Sequence, residues 1–371
     1  MTSQPYQVID CGEVQSLVGA TPAASPRAWH TRWDRSPTAA TALKRLRRAD
    51  FEFHTSGSTG TPVVWWHPGS HLCANADVLL DAVGRDFDAV VSFAPPRHIY
   101  GACATVALPA VLGAPVWFWS GIECEPPPIA GASVLVSAIP WTFTLLHRQL
   151  EWLLSQGQVT ILHSTALLPA EALALREDVL GSSGVPRPLD VVEVLGSTET
   201  GAIAYHTGWD SATPWTLFSG VTMERGAGSG PEVPLRVVTP WRARAADGSV
   251  ARHWETGDLV EIIDESRFVL RGRIGRLVKI NGRRVDLLQV EEQLRSTVAC
   301  SDVACVLIQD ELRGESFDVL IAGVHGEAEQ SVRAALSGLG LGACRIATVE
   351  GIQRSETGKV LARQSQCGLE A

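Results

Sequence analysis

The chain has 371 residues, of which 45% are hydrophobic and 19% charged, and a formal net charge of −9. That length and balance suit a globular chain with a large core and room for more than one domain, and exclude an intrinsically disordered one. The acidic balance excludes the basic footprint of a nucleic-acid binder.

Cys11, Cys73, Cys103, Cys124, Cys300, Cys305, Cys344 and Cys367 are scattered with no C-x-x-C pair, as expected of a reduced, cytoplasmic protein with buried thiols. There is no H-E-x-x-H, and no basic segment followed by an apolar core opens the chain, so neither that metal motif nor a secretory signal is expected. Within residues 1–50, Pro22, Pro26 and Pro37 separate short pieces, and 39–49 reads as one basic helix through Leu43 and Leu46. A short apolar run, 51–53, then leads into His54-Thr55-Ser56-Gly57-Ser58-Thr59-Gly60-Thr61-Pro62. Glycine lets backbone N–H groups approach closely, and the hydroxyls add donors, so the stretch suits a phosphate chain. A surface turn is the plainer reading, and no Gly-Lys-Ser/Thr follows to make it a Walker loop.

Further along, apolar runs at 89–93, 114–119, 133–137, 159–162 and 191–195 predict buried strands. Helices are expected at 141–154 and 170–180, with Pro140 and Pro169 where a first turn tolerates proline. The charge-free stretch 101–122 is long enough to cross a bilayer, but Pro109, Gly113 and Pro115 divide it into a buried helix, a turn and a strand, so no membrane span is expected. Alternating strands and helices predict an α/β sheet covered on both faces, with ligands at the carboxyl ends of its strands. After Trp215 the pattern becomes short strands at 234–238, 259–263 and 267–270, with Asp264-Glu265-Ser266 as a hairpin connection. A glycine- and basic-rich connection, 272–281, precedes a helix (286–298), two strands (303–309 and 317–324), a helix (328–336) and a strand (344–349). Leu287, Val290, Leu294 and Val298 give the first of these helices one apolar face. The expected fold class is α/β: a large N-terminal domain (1–272) of layered α/β sheets with a small antiparallel β subdomain, then a small C-terminal α+β domain (273–371).

Five stretches carry candidate chemistry. They are the Ser/Thr/Gly loop; Pro96-Arg97-His98-Ile99-Tyr100-Gly101; Leu195-Gly196-Ser197-Thr198-Glu199-Thr200-Gly201; Trp254-Glu255-Thr256-Gly257-Asp258 with Gly272-Arg273; and Glu356-Thr357-Gly358-Lys359. Singly, Glu199 reads as a solvated loop acid, Asp258 as a turn residue and Lys359 as a surface lysine. Together and in this order, from about residue 51 to 363, they resemble the adenylate-forming superfamily of acyl- and aryl-CoA synthetases, peptide-synthetase adenylation domains and luciferase-like enzymes.

The resemblance implies use of ATP and Mg²⁺. Thr55, Ser56, Gly57, Ser58, Thr59 and Gly60 would hold the β- and γ-phosphates, and Glu199 would help bind Mg²⁺. Thr198 would sit beside the α-phosphate, Gly196 and Ser197 would line the adenine slot, and Asp258 would accept from the ribose hydroxyls. Arg273 would contact ribose or phosphate, and Lys359 would neutralise the approaching substrate carboxylate and α-phosphate. His98, Tyr100 and Gly101 would border the acid pocket, although His98 reads equally as a satisfied histidine at a helix start. A carboxylate attacks the α-phosphorus, pyrophosphate leaves, and the acyl-adenylate passes to the thiol of CoA or an acyl carrier protein. Between the two halves the family's small domain is mobile and rotates.

Departures from the family's pattern are Val63 for a lysine, Leu195 for the adenine-stacking aromatic and Gly275 for the hinge aspartate. Family members also carry a longer stretch ahead of the phosphate loop, so the resemblance implies a trimmed N-terminal wall and a small aryl or short acyl acid, such as a hydroxybenzoate. Compact ligases that load acyl carrier proteins in aryl-polyene pathways are similar. Arg271, Arg273, Arg276, Lys279, Arg283 and Arg284 suit CoA phosphates or an acidic carrier, or a solvated surface. The departures leave open a degenerate adenylate-binding relative, and an adenylating enzyme with a non-thiol acceptor.

Overall fold

In this computed structural model the residues described are 6–19, 28–55, 63–121, 124–164, 168–182, 189–210, 213–225, 231–274, 276–280, 283–310, 314–323, 328–341, 345–354 and 360. The fold is α/β, and the chain divides into two compact units. The first comprises Met1–Ala227, Leu235–Thr256 and Ile262–Val269, and the second Gly228–Pro234, Gly257–Glu261 and Leu270–Ala371.

The first unit is organised on parallel strands that the sequence marks by unbroken apolar runs. Val116–Trp119, Ala89–Ser92, Ser133–Ala138, Gln158–His163 and Leu189–Ser197 lie side by side in that order, all parallel. Every residue of Ala89–Ser92 and Val116–Trp119 is buried, the mark of strands covered on both faces. Antiparallel strands extend the sheet at both sides: Ala28–Thr31 beside Val116–Trp119, and Gly201–Thr207 then Trp215–Leu217 beyond Leu189–Ser197. The core packs Val91, Phe93, Val136, Phe143, Leu146, Ile161 and Val191 together. Asp50–Thr55 and Val63–Pro68 form an antiparallel hairpin, joined by Arg244–Ala245 into a separate three-stranded sheet.

The basic helix forms as expected over Ala39–Arg48, burying Ala42 and Leu46. The charge-free stretch also divides as expected: helical turns run from Ile99 to Leu112, Gly113 takes φ 73°, and the strand Val116–Trp119 follows. Pro109 does not end the helix, however. It follows a π-helical segment, Ala102–Ala107, where the hydrogen-bond spacing shifts just ahead of the residue that lacks an N–H. The single helix expected over 141–154 is two, Thr142–Arg148 and Leu150–Leu154. Gln149 separates them at φ −111° and ψ 36°, and beyond it Trp152 donates to the Pro127 carbonyl and meets the Trp119 ring edge-on.

The second unit has its own core. Leu287–Thr297 is a helix capped by Asp286, whose carboxylate accepts from the Leu288 N–H. Its buried face is the one read from spacing: Leu287, Val290 and Leu294, followed by buried Val298. They pack with Val303, Cys305, Phe317, Val319, Val332 and Leu336. Asp302–Asp310 and Gly314–Ala322 pair antiparallel, and Ile346–Val349 adds in parallel. The stretch expected to be a plain connection, 272–281, instead contributes a strand, Leu277–Ile280, paired with Arg283–Asp286.

Among the described residues no helix is long and apolar enough to cross a membrane. Cys11, Cys73, Cys103, Cys124, Cys300 and Cys305 are free thiols, all but Cys300 buried.

Candidate functional site

The Ser/Thr/Gly loop interrupts a hairpin. Thr55 pairs with Val63, the two described residues that flank 56–62. Ser56, Gly57, Ser58, Thr59 and Gly60 lie outside the described residues.

The third stretch is also a hairpin turn. Leu189–Ser197 and Gly201–Thr207 pair antiparallel with Ser197 opposite Gly201, leaving Thr198, Glu199 and Thr200 to make the reversal. Neither glycine leaves room for a side chain. A Cβ on Gly196 would stand 2.6 Å from the Gly201 carbonyl oxygen. Gly201 has φ +66°, and a Cβ there would stand 2.5 Å from the Trp241 ring and 2.7 Å from the Asn75 carboxamide oxygen. Those same side chains hold the next residue: Asn75 Oδ1 accepts from the Ala202 N–H (2.7 Å) and Trp241 Nε1 donates to the Ala202 carbonyl (2.9 Å).

All three carbonyls of the turn are occupied. His67 Nε2–H donates to Thr198 O (2.6 Å), the Ala243 N–H to Glu199 O (2.9 Å), and Thr239 Oγ1 to Thr200 O (2.7 Å). His67 stands on the strand Val63–Pro68, and the segment holding the other two runs directly into Arg244–Ala245, which pairs with that strand. The hairpin Asp50–Thr55/Val63–Pro68 and the Thr198–Thr200 turn are thereby tied together. His67 is fully buried, and burial pulls its imidazole down to about 4, so it is neutral near pH 7. Glu199 is half-buried, and among the described residues its carboxylate makes no hydrogen bond or ion pair. The sequence reading missed His67, Asn75, Thr239 and Trp241; only the buried-polar character of His67 and Asn75 within apolar elements could have flagged two of them.

In the second stretch, His98 is half-buried at the helix start, and its carbonyl accepts from the Ala102 N–H (2.7 Å). Tyr100 packs against the core and donates its hydroxyl to the Leu162 carbonyl (2.6 Å), and burial pushes the phenol's pKa up. A Cβ on Gly101 would lie 1.9 Å from the Pro95 carbonyl oxygen, so glycine there answers to packing. Leu195 is half-buried beside the turn, and Val63 is 44% exposed at the loop's end.

The remaining residues belong to the second unit. Gly257 takes φ +79°, and its carbonyl accepts from the Ile274 N–H (2.6 Å). Next to it Asp258 is 7% exposed, and Arg273 Nε approaches its carboxylate at 3.7 Å. Arg354 binds Asp302 through both Nε (2.7 Å) and Nη2 (2.8 Å) and forms a bridge with Val360. Lys359 and Gly275 fall outside the described residues.

A third cluster was not anticipated. His163, Glu193 and His206 lie in register across three adjacent strands of the first unit, all buried. His206 Nδ1 stands 3.2 Å and His163 Nδ1 3.9 Å from the Glu193 carboxylate, while His206 Nε2 donates to the Asp210 carbonyl (2.8 Å). Burial pushes the Glu193 pKa upward, but the close approach of His163 and His206 outweighs it and holds the carboxyl at about 2. The Glu193 carboxylate raises His206 in turn, against the effect of burial.

No family model matches the chain. It is 27% identical over 295 residues to the 4-coumarate–CoA ligase of Rhodobacter capsulatus, covering 78% of this chain and 68% of the relative. It is 28% identical over 269 residues to the 4-coumarate–CoA ligase of Halorhodospira halophila, covering 68% of this chain and 58% of that relative. Among solved structures, the anthranilate CoA ligase AuaEII in complex with anthranoyl-AMP superposes with a TM-score of 0.64 at 16% identity, over 85% of this chain and 66% of that one. In fold, and in sequence through most of its length, the chain is similar to CoA ligases of the adenylate-forming superfamily.

Proposed function

We propose that this chain activates a carboxylic acid with ATP to an acyl-adenylate, with release of pyrophosphate, and then transfers the acyl group to a thiol. The observation that carries the reading is the tether between two of the five stretches: the strand leaving the Ser/Thr/Gly loop holds, through His67, the turn that bears Thr198 and Glu199. A turn with its carbonyls occupied presents its two functional side chains without reorganisation, which is what phosphoryl chemistry asks of a protein.

In this reading Thr55, Ser56, Gly57, Ser58, Thr59 and Gly60 receive the β- and γ-phosphates, Thr198 the α-phosphate, and Gly196 and Ser197 the adenine. Leu195 offers the adenine apolar contact. Asp258, an acceptor-only carboxylate, takes the ribose hydroxyls, with Arg273 beside it. His98 borders the acid. Lys359 offsets the repulsion between the substrate carboxylate and the α-phosphate.

Among the described residues no group of three or more His, Cys, Asp or Glu could cage a metal. Mg²⁺ needs no such cage, because one carboxylate, phosphate oxygens and water satisfy it. The carboxylate of Glu199, without a partner among the described residues, fits that role. Bound there, the ion neutralises phosphate charge.

The names of the relatives, 4-coumarate–CoA ligases and an anthranilate CoA ligase, support an aryl acid, and the reading extends to small aryl or short acyl acids such as a hydroxybenzoate. The acceptor is CoA or an acyl carrier protein. A boundary at 272/273, with rotation of the part carrying Lys359 between the two halves, and a cytoplasmic setting complete the reading. Acid-dependent exchange of labelled pyrophosphate into ATP over a panel of aryl and short acyl acids tests it. Exchange with at least one acid is expected, and silence across the panel would favour an adenylate-binding relic.

A further inference from the structure

We propose that His67 is a positioning residue: its buried Nε2–H, donated to the Thr198 carbonyl, sets the turn that carries Thr198 and Glu199 against the strand that leaves residues 56–62. What is positioned rests on the function proposed above; the tether itself does not.

Four observations converge. The bond is short, 2.6 Å, and joins residues 131 positions apart. A carbonyl oxygen can only accept, so the bond fixes the Nε2–H tautomer, and Nδ1 is left buried with no hydrogen-bond partner among the described residues. Within the turn the Thr198 carbonyl depends on His67, whereas those of Glu199 and Thr200 are held by the separate 239–243 segment. Finally, His67 is fully buried and packs edge-on against Phe53 at 5.9 Å, so the ring that carries the donor is itself held in place. A fixed buried donor, bonded to the turn that bears a carboxylate with no partner among the described residues, points to positioning.

The groups facing this imidazole keep it neutral. Burial is the largest influence, and His71, 6.4 Å away ring to ring, adds to it; the Thr198 carbonyl and Asp50 act the other way and are outweighed. The donor therefore stays in one tautomer through the neutral range, and the tether does not switch on and off with pH there.

Two variants of the full chain test the inference. His67→Leu removes the donor, and His67→Gln restores an N–H with similar reach. Backbone hydrogen exchange over 196–202, measured without substrate, should rise about tenfold in His67→Leu and stay within about threefold of the parent in His67→Gln, as for one buried hydrogen bond lost or kept. In pyrophosphate exchange, His67→Leu should raise KM for ATP about tenfold and leave KM for the acid unchanged, with His67→Gln recovering most of the loss. If His67→Leu fails to fold while His67→Gln folds with parental exchange over 196–202, the tether stands. Unchanged exchange in His67→Leu, equal impairment of both variants, or unfolding of both would overturn it. A parent chain silent with every acid would contradict the catalytic reading alone, while the hydrogen-exchange arm still decides the tether.

Discussion

Two buried regions of the first unit hold their histidines in opposite ways. At the Thr198–Thr200 turn, His67 faces a neutral carbonyl, and burial drives its pKa down to about 4. A few residues back along the same strand, Glu193 raises His206 above its ordinary value and is itself held at about 2. Equal burial has opposite consequences because one imidazole meets a dipole and the other a charge. The turn beside the proposed chemistry is fastened by uncharged bonds, and the sheet behind it by an ion pair.

The largest break in that comparison is expected at the ion pair. Glu193→Gln leaves His206 buried without its counter-charge and should cost ~3 kcal/mol, read as the fall in chemical-denaturation stability. A loss below ~1 kcal/mol would mean that the pair is a bystander.

Gly201→Ala attacks the uncharged region instead. Its Cβ has no space between Trp241 and Asn75, and φ +66° strains any side chain, so the expected cost is about 2 kcal/mol with a matching loss of pyrophosphate exchange. A parental melting curve would show that the turn relaxes freely. Tyr100→Phe sharpens the contrast at a neutral bond away from the turn. It deletes the donor to Leu162 and should cost about 1 kcal/mol; an unchanged KM for the acid would leave Tyr100 a packing role alone, and a large KM change would support it as a pocket residue.

The pH dependence separates the two histidines most subtly. For His67 the folded pKa lies below the unfolded one, so its contribution is complete above about 6.5 and is lost as pH falls towards about 4. For His206 the folded pKa is raised, so its contribution is complete below about 6.5 and is lost as pH climbs through the raised value. Glu193, depressed to about 2, loses its contribution only as pH falls from about 4.5 towards 2. Denaturation midpoints from pH 4 to 8 should therefore show His67→Gln flattening the acid limb and His206→Gln the alkaline limb. Both variants flattening the same limb would refute the assignment.

Much of this was legible in the sequence where one element carries its own signal. The apolar runs marked the buried parallel strands, and Leu287, Val290, Leu294 and Val298 marked a helix face. What could not be read depends on register between distant strands. Nothing local states that His163, Glu193 and His206 come side by side, or that His67 reaches Thr198. The hairpin over Leu277–Ile280 and Arg283–Asp286 was obscured because its glycines and basic residues resemble a loop. The break at Gln149 was hidden by an uninterrupted helical pattern. Tyr100 and Gly101, read as pocket residues, have packing duties that appear only once Leu162 and Pro95 are seen beside them.

The central claim is that this chain forms an acyl-adenylate and that Lys359 serves that half alone. The most direct measurement compares the two half-reactions in Lys359→Ala: acid-dependent pyrophosphate exchange, and thioester formation from a supplied acyl-adenylate and thiol. The account predicts a fall of about a hundredfold or more in the first, with the second within a few-fold of the parent. Equal loss of both halves, or undiminished exchange, would contradict it.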